Sequence, residues 1–113
     1  MEKFRIRSAS PVDYTMRVIG GKWKPIILHL ISVDINRFGL LKRGVYGISK
    51  HMLTKQLREL EADGLIRREI YAEIPPRVEY FITEKGRSIF PVIESMQAWG
   101  QRHMQFDNEG NII

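Results

Sequence analysis

His51, Thr54, Lys55 and Arg58 recur at i, i+3, i+4 and i+7 within SKHMLTKQLREL, residues 49–60. That spacing puts all four on one face of an α-helix, where they can neutralise an anion or hydrogen-bond to polar edges. Lys50 stands in the first turn, and Glu59, Glu61 and Asp63 crowd the far end. A helix N-terminus carries partial positive charge, so its own stability asks for acids early and bases late. Here the order is reversed. The cost is about a few tenths of a kcal/mol to one per charge, small beside several phosphate contacts. The basic front therefore reads as a surface for a polyanion. Ile48, Leu53, Leu57 and Leu60 recur at helical spacing on the other side and are expected to be buried.

The charge distribution points the same way. The net charge is +5, but 12 of the 18 Lys and Arg fall in residues 1–58 against three acids (Glu2, Asp13, Asp34). Residues 59–113 reverse the balance, with six bases and ten acids. A one-sided excess suggests nucleic acid first and a membrane surface second. Charge alone slightly favours the blander reading, a solvated basic surface with no partner.

Composition sets the remaining bounds. A chain of 113 residues, 43% hydrophobic and 27% charged, is expected to form one domain, 1–113, with its own core. It has no cysteine, which removes disulfides, thiolate metal sites and cysteine-based redox sensing. His29, His51 and His103 are far apart and none sits in an HExxH-like pattern, so neither metal nor cofactor is expected. No apolar run approaches the ~20 residues of a membrane helix. The first ten residues do not resemble a signal peptide. The expected location is the cytoplasm, away from membranes.

The elements that must position the basic face follow from local signals. Ser10 is a plausible N-cap and Pro11 suits the first position of a short helix whose stripe is Val12, Met16 and Ile19, ended by Gly20-Gly21. KWKPIILHLIS predicts a second helix with Pro25 in its first turn. Its run is apolar nearly all round, as in a central core helix, with His29 as a satisfied core histidine. RFGLLKRGV predicts a short third helix bounded by Gly44 and Gly47, with Phe38 and Leu41 inward. The fourth helix begins at Ser49 as N-cap. Ile48 and Leu53 have the spacing of a hydrophobic staple, and Gly64 is placed to stop the helix. LIRREIY and VEYFIT read as the strands of a hairpin, with AEIPPR as its loop, because proline cannot donate to a ladder. Thr83 can cap a last helix that Pro91 should kink or break.

The order is mainly α with a small β-hairpin: a three-helix core, a reading helix, a wing and a C-terminal helix. A helix-turn-helix followed by such a wing is a DNA-reading arrangement, with the fourth helix in the major groove. Ser49 and Lys50 would then hold phosphates at the helix start. His51, Thr54 and Lys55 would face base edges, and Arg58 a guanine or only a phosphate. Arg77 on the wing would touch the backbone or an adjacent minor groove. Arg37, Lys42 and Arg43 could clamp flanking phosphates. The competing reading for each is a solvated base on a surface helix. Lys42 and Arg43 stand evenly between the two; Lys55 and Arg58 are assigned to DNA.

Four stretches carry a family resemblance: VIGGKWK (residues 18–24), RFGLL (37–41), GISKHMLTKQLRELEADGLIRR (47–68) and PPRVEYFITEKG (75–86). The chain resembles the HxlR-type branch of the MarR-like winged helix-turn-helix transcriptional regulators of bacteria, from about residue 10 to 100. The resemblance implies a homodimer on a near-palindromic operator in double-stranded DNA, repressing or activating adjacent genes. It implies dimerisation through residues 1–20 and 83–104, with Val12, Met16, Ile93, Met96 and Trp99 in the seam. Many members carry a cysteine where this chain has Ser10. Serine keeps the cap but not the thiol chemistry, so DNA binding carries over and thiol-based sensing does not. A small apolar or aromatic inducer near the seam stays an open question.

Two other function classes compete. A winged helix can be reused as a protein-interaction module, but such a chain would usually lose the basic front that this one keeps. A small enzyme could be read from Glu59, Glu61 and Asp63. Those acids do not converge at spacings of two, and no phosphate loop or nucleophile elbow accompanies them.

Overall fold

The computed structural model describes residues 10–113. Residues 1–9 of the expected dimerisation segment 1–20 lie outside the described residues. The order is α1 (Pro11–Ile19), α2 (Lys24–Ser32), α3 (Phe38–Gly44), α4 (Lys50–Ala62), β1 (Ile66–Tyr71), β2 (Arg77–Ile82), α5 (Glu84–Ser88) and α6 (Phe90–His103). This is a winged helix-turn-helix, as the element order predicts.

Short-range chemistry sets most boundaries. The Ser10 hydroxyl accepts from the Asp13 N–H at 3.1 Å, and Pro11 opens α1. Ser49 does the same for α4, accepting from the Met52 N–H at 3.0 Å. Gly64, at φ +78, closes that helix. The Leu65 N–H donates to the Leu60 carbonyl and the Gly64 N–H to the Glu61 carbonyl, both at 3.0 Å. Leu60 and Leu65 are both buried beside this closing turn.

The core gathers one face from each of α1 to α4. Ile19, Ile27, Leu28, Leu41, Ile48, Leu53, Leu57 and Leu60 are all essentially inaccessible, and Leu65 and Ile66 extend the cluster into the wing. β1 and β2 pair antiparallel from Ile66 opposite Ile82 to Tyr71 opposite Arg77. Arg77 is thus the first residue of a strand, and the connecting loop is 72–76, one residue shorter than predicted.

One expectation for the helices needs correction. α2 is not buried all round: Ile27, Leu28 and Ile31 face the core, while Ile26 and His29 are exposed on the other side. His29 is therefore not a core histidine. It lines an open groove of about 740 Å³ between α2 and α6, with Pro25, Ile26, Phe90, Ile93 and Met96. The last helix is broken in two, as Pro91 leads one to expect. Thr83 caps α5, the chain turns at Ile89, and Pro91 lies in the first turn of α6, where it needs no donor.

Among the described residues α6 is nowhere fully buried; Phe90 and Ile93 pack on the core only in part. Past α6, the Asp107 carboxylate accepts the N–H groups of Asn111 and Glu109, each at 2.9 Å. Those bonds hold its carboxyl below the ordinary carboxylate range. No helix among the described residues is long and apolar enough to cross a membrane.

Candidate nucleic-acid interface

α4 presents its basic face because its other face is committed. Leu53, Leu57 and Leu60 anchor one side, which turns His51, Lys55 and Arg58 outward with Thr54 half-buried at the margin. Lys50 and Ser49 are exposed at the start of the helix. Among the described residues, Lys50, Lys55 and Arg58 take part in no ion pair. Two hydroxyls are partly engaged. Ser49 already accepts a capping bond, and Thr54 donates to the Lys50 carbonyl at 2.9 Å. Thr54 therefore offers outward its methyl group and oxygen lone pairs, not a free O–H.

The wing residues are more constrained than the sequence suggests. Arg77 pairs with Glu73 at 3.3 Å and lies over the Tyr71 ring, 4.1 Å from its centroid. Arg37 pairs with Glu79 at 3.4 Å. Arg37 and Arg77 line one open cleft of about 490 Å³ between the start of α3 and the wing loop, with Ile74 fully exposed at the loop's tip. The structure thus sorts the expected contacts into two sets: a free basic face on α4, and two paired arginines at the wing.

Sequence reasoning missed two residues that position these sets. Asn36 clamps the wing to the loop before α3. Its carbonyl accepts from the Tyr80 N–H at 2.9 Å, and its amide donates to the Tyr80 carbonyl at 3.0 Å. Burial there pushes the Tyr80 phenol above its ordinary value. Nothing local to Asn36 signals this. The other is Lys24, 6% exposed, whose ammonium meets Glu59 of α4 at 3.0 Å. A signal did exist: a lysine at the first position of a helix opposes the macrodipole, as the front of α4 does.

The apolar residues assigned to a seam fall on two helices. Val12 is 73% exposed and Met16 about half exposed on α1; Met96 and Trp99 are exposed on α6. Ile93 is half-buried against the core. Among the described residues no group of His, Asp and Glu is placed to hold a metal ion.

The model of the HxlR-like helix-turn-helix family matches residues 18–108. The chain is 45% identical over 95 residues to the HTH-type transcriptional regulator YybR of Bacillus subtilis, covering 84% of this chain and 76% of that protein. The crystal structure of the regulator YtcD, also of Bacillus subtilis, superposes with a TM-score of 0.78 at 48% identity, over 83% of this chain and 96% of the other. The redox regulator HypR in its oxidised form gives 0.75 at 45% identity, over 85% and 99%. The family and these relatives are regulators of transcription and not enzymes. The chain belongs to the HxlR-like helix-turn-helix family and is a transcriptional regulator with a winged helix-turn-helix fold.

Proposed function

We propose that this regulator binds a near-palindromic operator in double-stranded DNA as a homodimer, in the cytoplasm, with α4 in the major groove. The observation that carries the reading is the exposed face of Lys50, His51, Lys55 and Arg58, free of carboxylate partners among the described residues, at the front of a capped helix. A groove about 12 Å wide accepts one such helix. Ser49 and Lys50 hold phosphates; His51, Thr54, Lys55 and Arg58 meet base edges or adjoining phosphates. Arg37 and Arg77, already neutralised by Glu79 and Glu73, serve the backbone more weakly.

The test is binding of the purified protein to DNA from upstream of its own gene, against scrambled competitor, across salt concentrations. Each phosphate contact steepens the log–log salt slope by about 0.9. Competitor-resistant, salt-steep binding is the expected result. Equal affinity for scrambled DNA and any genomic fragment would defeat the reading and favour a protein-docking module.

Pairing through α1 and α6 brings two α4 helices about one DNA turn, ~34 Å, apart or a multiple of it. Trp99, 60% exposed on a helix with no buried residue, is the largest apolar group available to the seam. Trp99→Ala is expected to weaken the dimer by about 2 kcal/mol, read by analytical ultracentrifugation. An unaltered dimer fraction moves the seam off this face. HypR is a redox regulator; with no cysteine among its 113 residues, this chain does not take its signal through a thiol.

A further inference from the structure

Lys24 is the one buried charged residue among those described. Its ammonium donates to the Arg17 carbonyl at 3.3 Å, in the last turn of α1, and meets Glu59 at 3.0 Å. α2 gains little from it, because a cation at a helix N-terminus opposes the macrodipole. Burying a charge is costly, and a pair of apolar side chains in place of a buried ion pair often serves stability as well or better. The position therefore calls for another account, and Glu59 supplies it.

Glu59 is four residues after Lys55 on α4, within side-chain reach and about 40° round the helix from it. Left alone, that carboxylate would pair with Lys55 and set a negative charge beside any phosphate Lys55 approached. Glu61 stands on the other edge of the face, three residues after Arg58. Arg68 of β1 holds it at 3.7 Å. Both carboxylates that helical spacing places beside the reading cations are thus taken by cations of neighbouring elements. Of the two, the Lys24 pair is the shorter, and its lysine is the buried one.

We infer that Lys24 is a positioning residue for DNA reading, holding Glu59 off Lys55 so that the Lys55 ammonium stays available to the polyanion. This rests on the DNA-binding reading above. The Arg17 bond fixes where Lys24 sits, so the last turn of α1 is part of the same clamp.

The experiment is a double-mutant cycle of Lys24→Met and Glu59→Gln, read by the salt slope of operator binding. Lys24→Met is expected to lower the slope by about 0.9, one counterion-releasing contact, and to weaken binding about fivefold near 0.15 M salt. Lys24→Met/Glu59→Gln is expected to restore both, and Lys24→Arg to keep both. A purely structural lysine would lower the melting temperature without moving the slope. An unchanged slope in Lys24→Met, or no recovery in the double variant, overturns the inference. Lys24→Gln, whose amide can still donate to the Arg17 carbonyl, takes its place in the cycle if the methionine variant does not fold.

A second readout needs no DNA: the side-chain ammonium resonance of Lys55. It should respond to Glu59→Gln in the Lys24→Met background and not in the wild type. Indifference in both backgrounds overturns the clamp. Wild-type protein without operator preference overturns the DNA reading alone, and the resonance then decides the fate of Lys24.

Discussion

Alanine at both Lys55 and Arg58 is expected to cut operator affinity by about 150-fold, roughly 3 kcal/mol. Both side chains are exposed and unpaired among the described residues, so their removal disturbs no packing and leaves no buried charge behind. Thermal stability should stay within about 0.5 kcal/mol of wild type. The two single variants separate the roles. A residue that meets only phosphate lowers affinity for operator and scrambled DNA alike and flattens the salt slope by about 0.9. A residue that reads a base edge loses preference at one position of the site, while non-specific binding changes little. Fluorescence anisotropy on operator variants resolves these outcomes. A double variant with wild-type affinity and selectivity would remove α4 from the groove.

Gly86→Ala should be a strongly damaging small substitution. A Cβ at that position would lie 2.1 Å from the Leu65 carbonyl oxygen and 3.0 Å from the Ile82 methyl. The Leu65 oxygen cannot simply retreat, since it accepts the Thr83 N–H at 3.0 Å. The Thr83 hydroxyl in turn accepts the Gly86 N–H and donates to the Gly64 carbonyl at 2.6 Å. One methyl group therefore strains the junction of α4, the wing and α5 together. Overpacking of this kind costs about 3 kcal/mol, or roughly 15 °C in melting temperature for a domain of this size. Gly39→Ala is the control: a Cβ there meets nothing within 4 Å on a helix, so the protein should be unchanged or up to about 1 kcal/mol more stable. Similar melting curves for the two variants would contradict the packing described.

What could be read from the sequence was what neighbours in sequence determine. The reading helix was legible end to end. Ser49, the Ile48–Leu53 staple, the leucine stripe and Gly64 are all within a few residues of the groups they act on. The hairpin was legible because two β-rich runs flank a pair of prolines. Pro91 announced the break between α5 and α6. The errors lie where distant segments meet. His29 looked like core because its neighbours are aliphatic; only the placement of α2 against α3 and β2 decides which side of a uniformly apolar run faces in. Arg77 looked free because Tyr71, across the strand pair, and Glu73 give no sign in sequence that they hold it. Asn36 and Tyr80 are 44 residues apart. For the candidate site, residue types on α4 carry the assignment, whereas in sequence the carboxylates that could spoil it look like a distant acidic end. Glu59 is not distant. It is next to Lys55, and a lysine from another helix occupies it.

The bare flank of α6 has a consequence at the level of dosage. A lone helix of fourteen residues is marginal in water. Under the pairing proposed above, firming up that helix and meeting a second chain become one event. The paired species then rises with the square of protein concentration while most chains are single. Halving the supply of the regulator in that regime removes about three quarters of the paired form. Control of the target gene would follow a threshold in abundance, and diluting the protein as a cell grows would itself act as a signal.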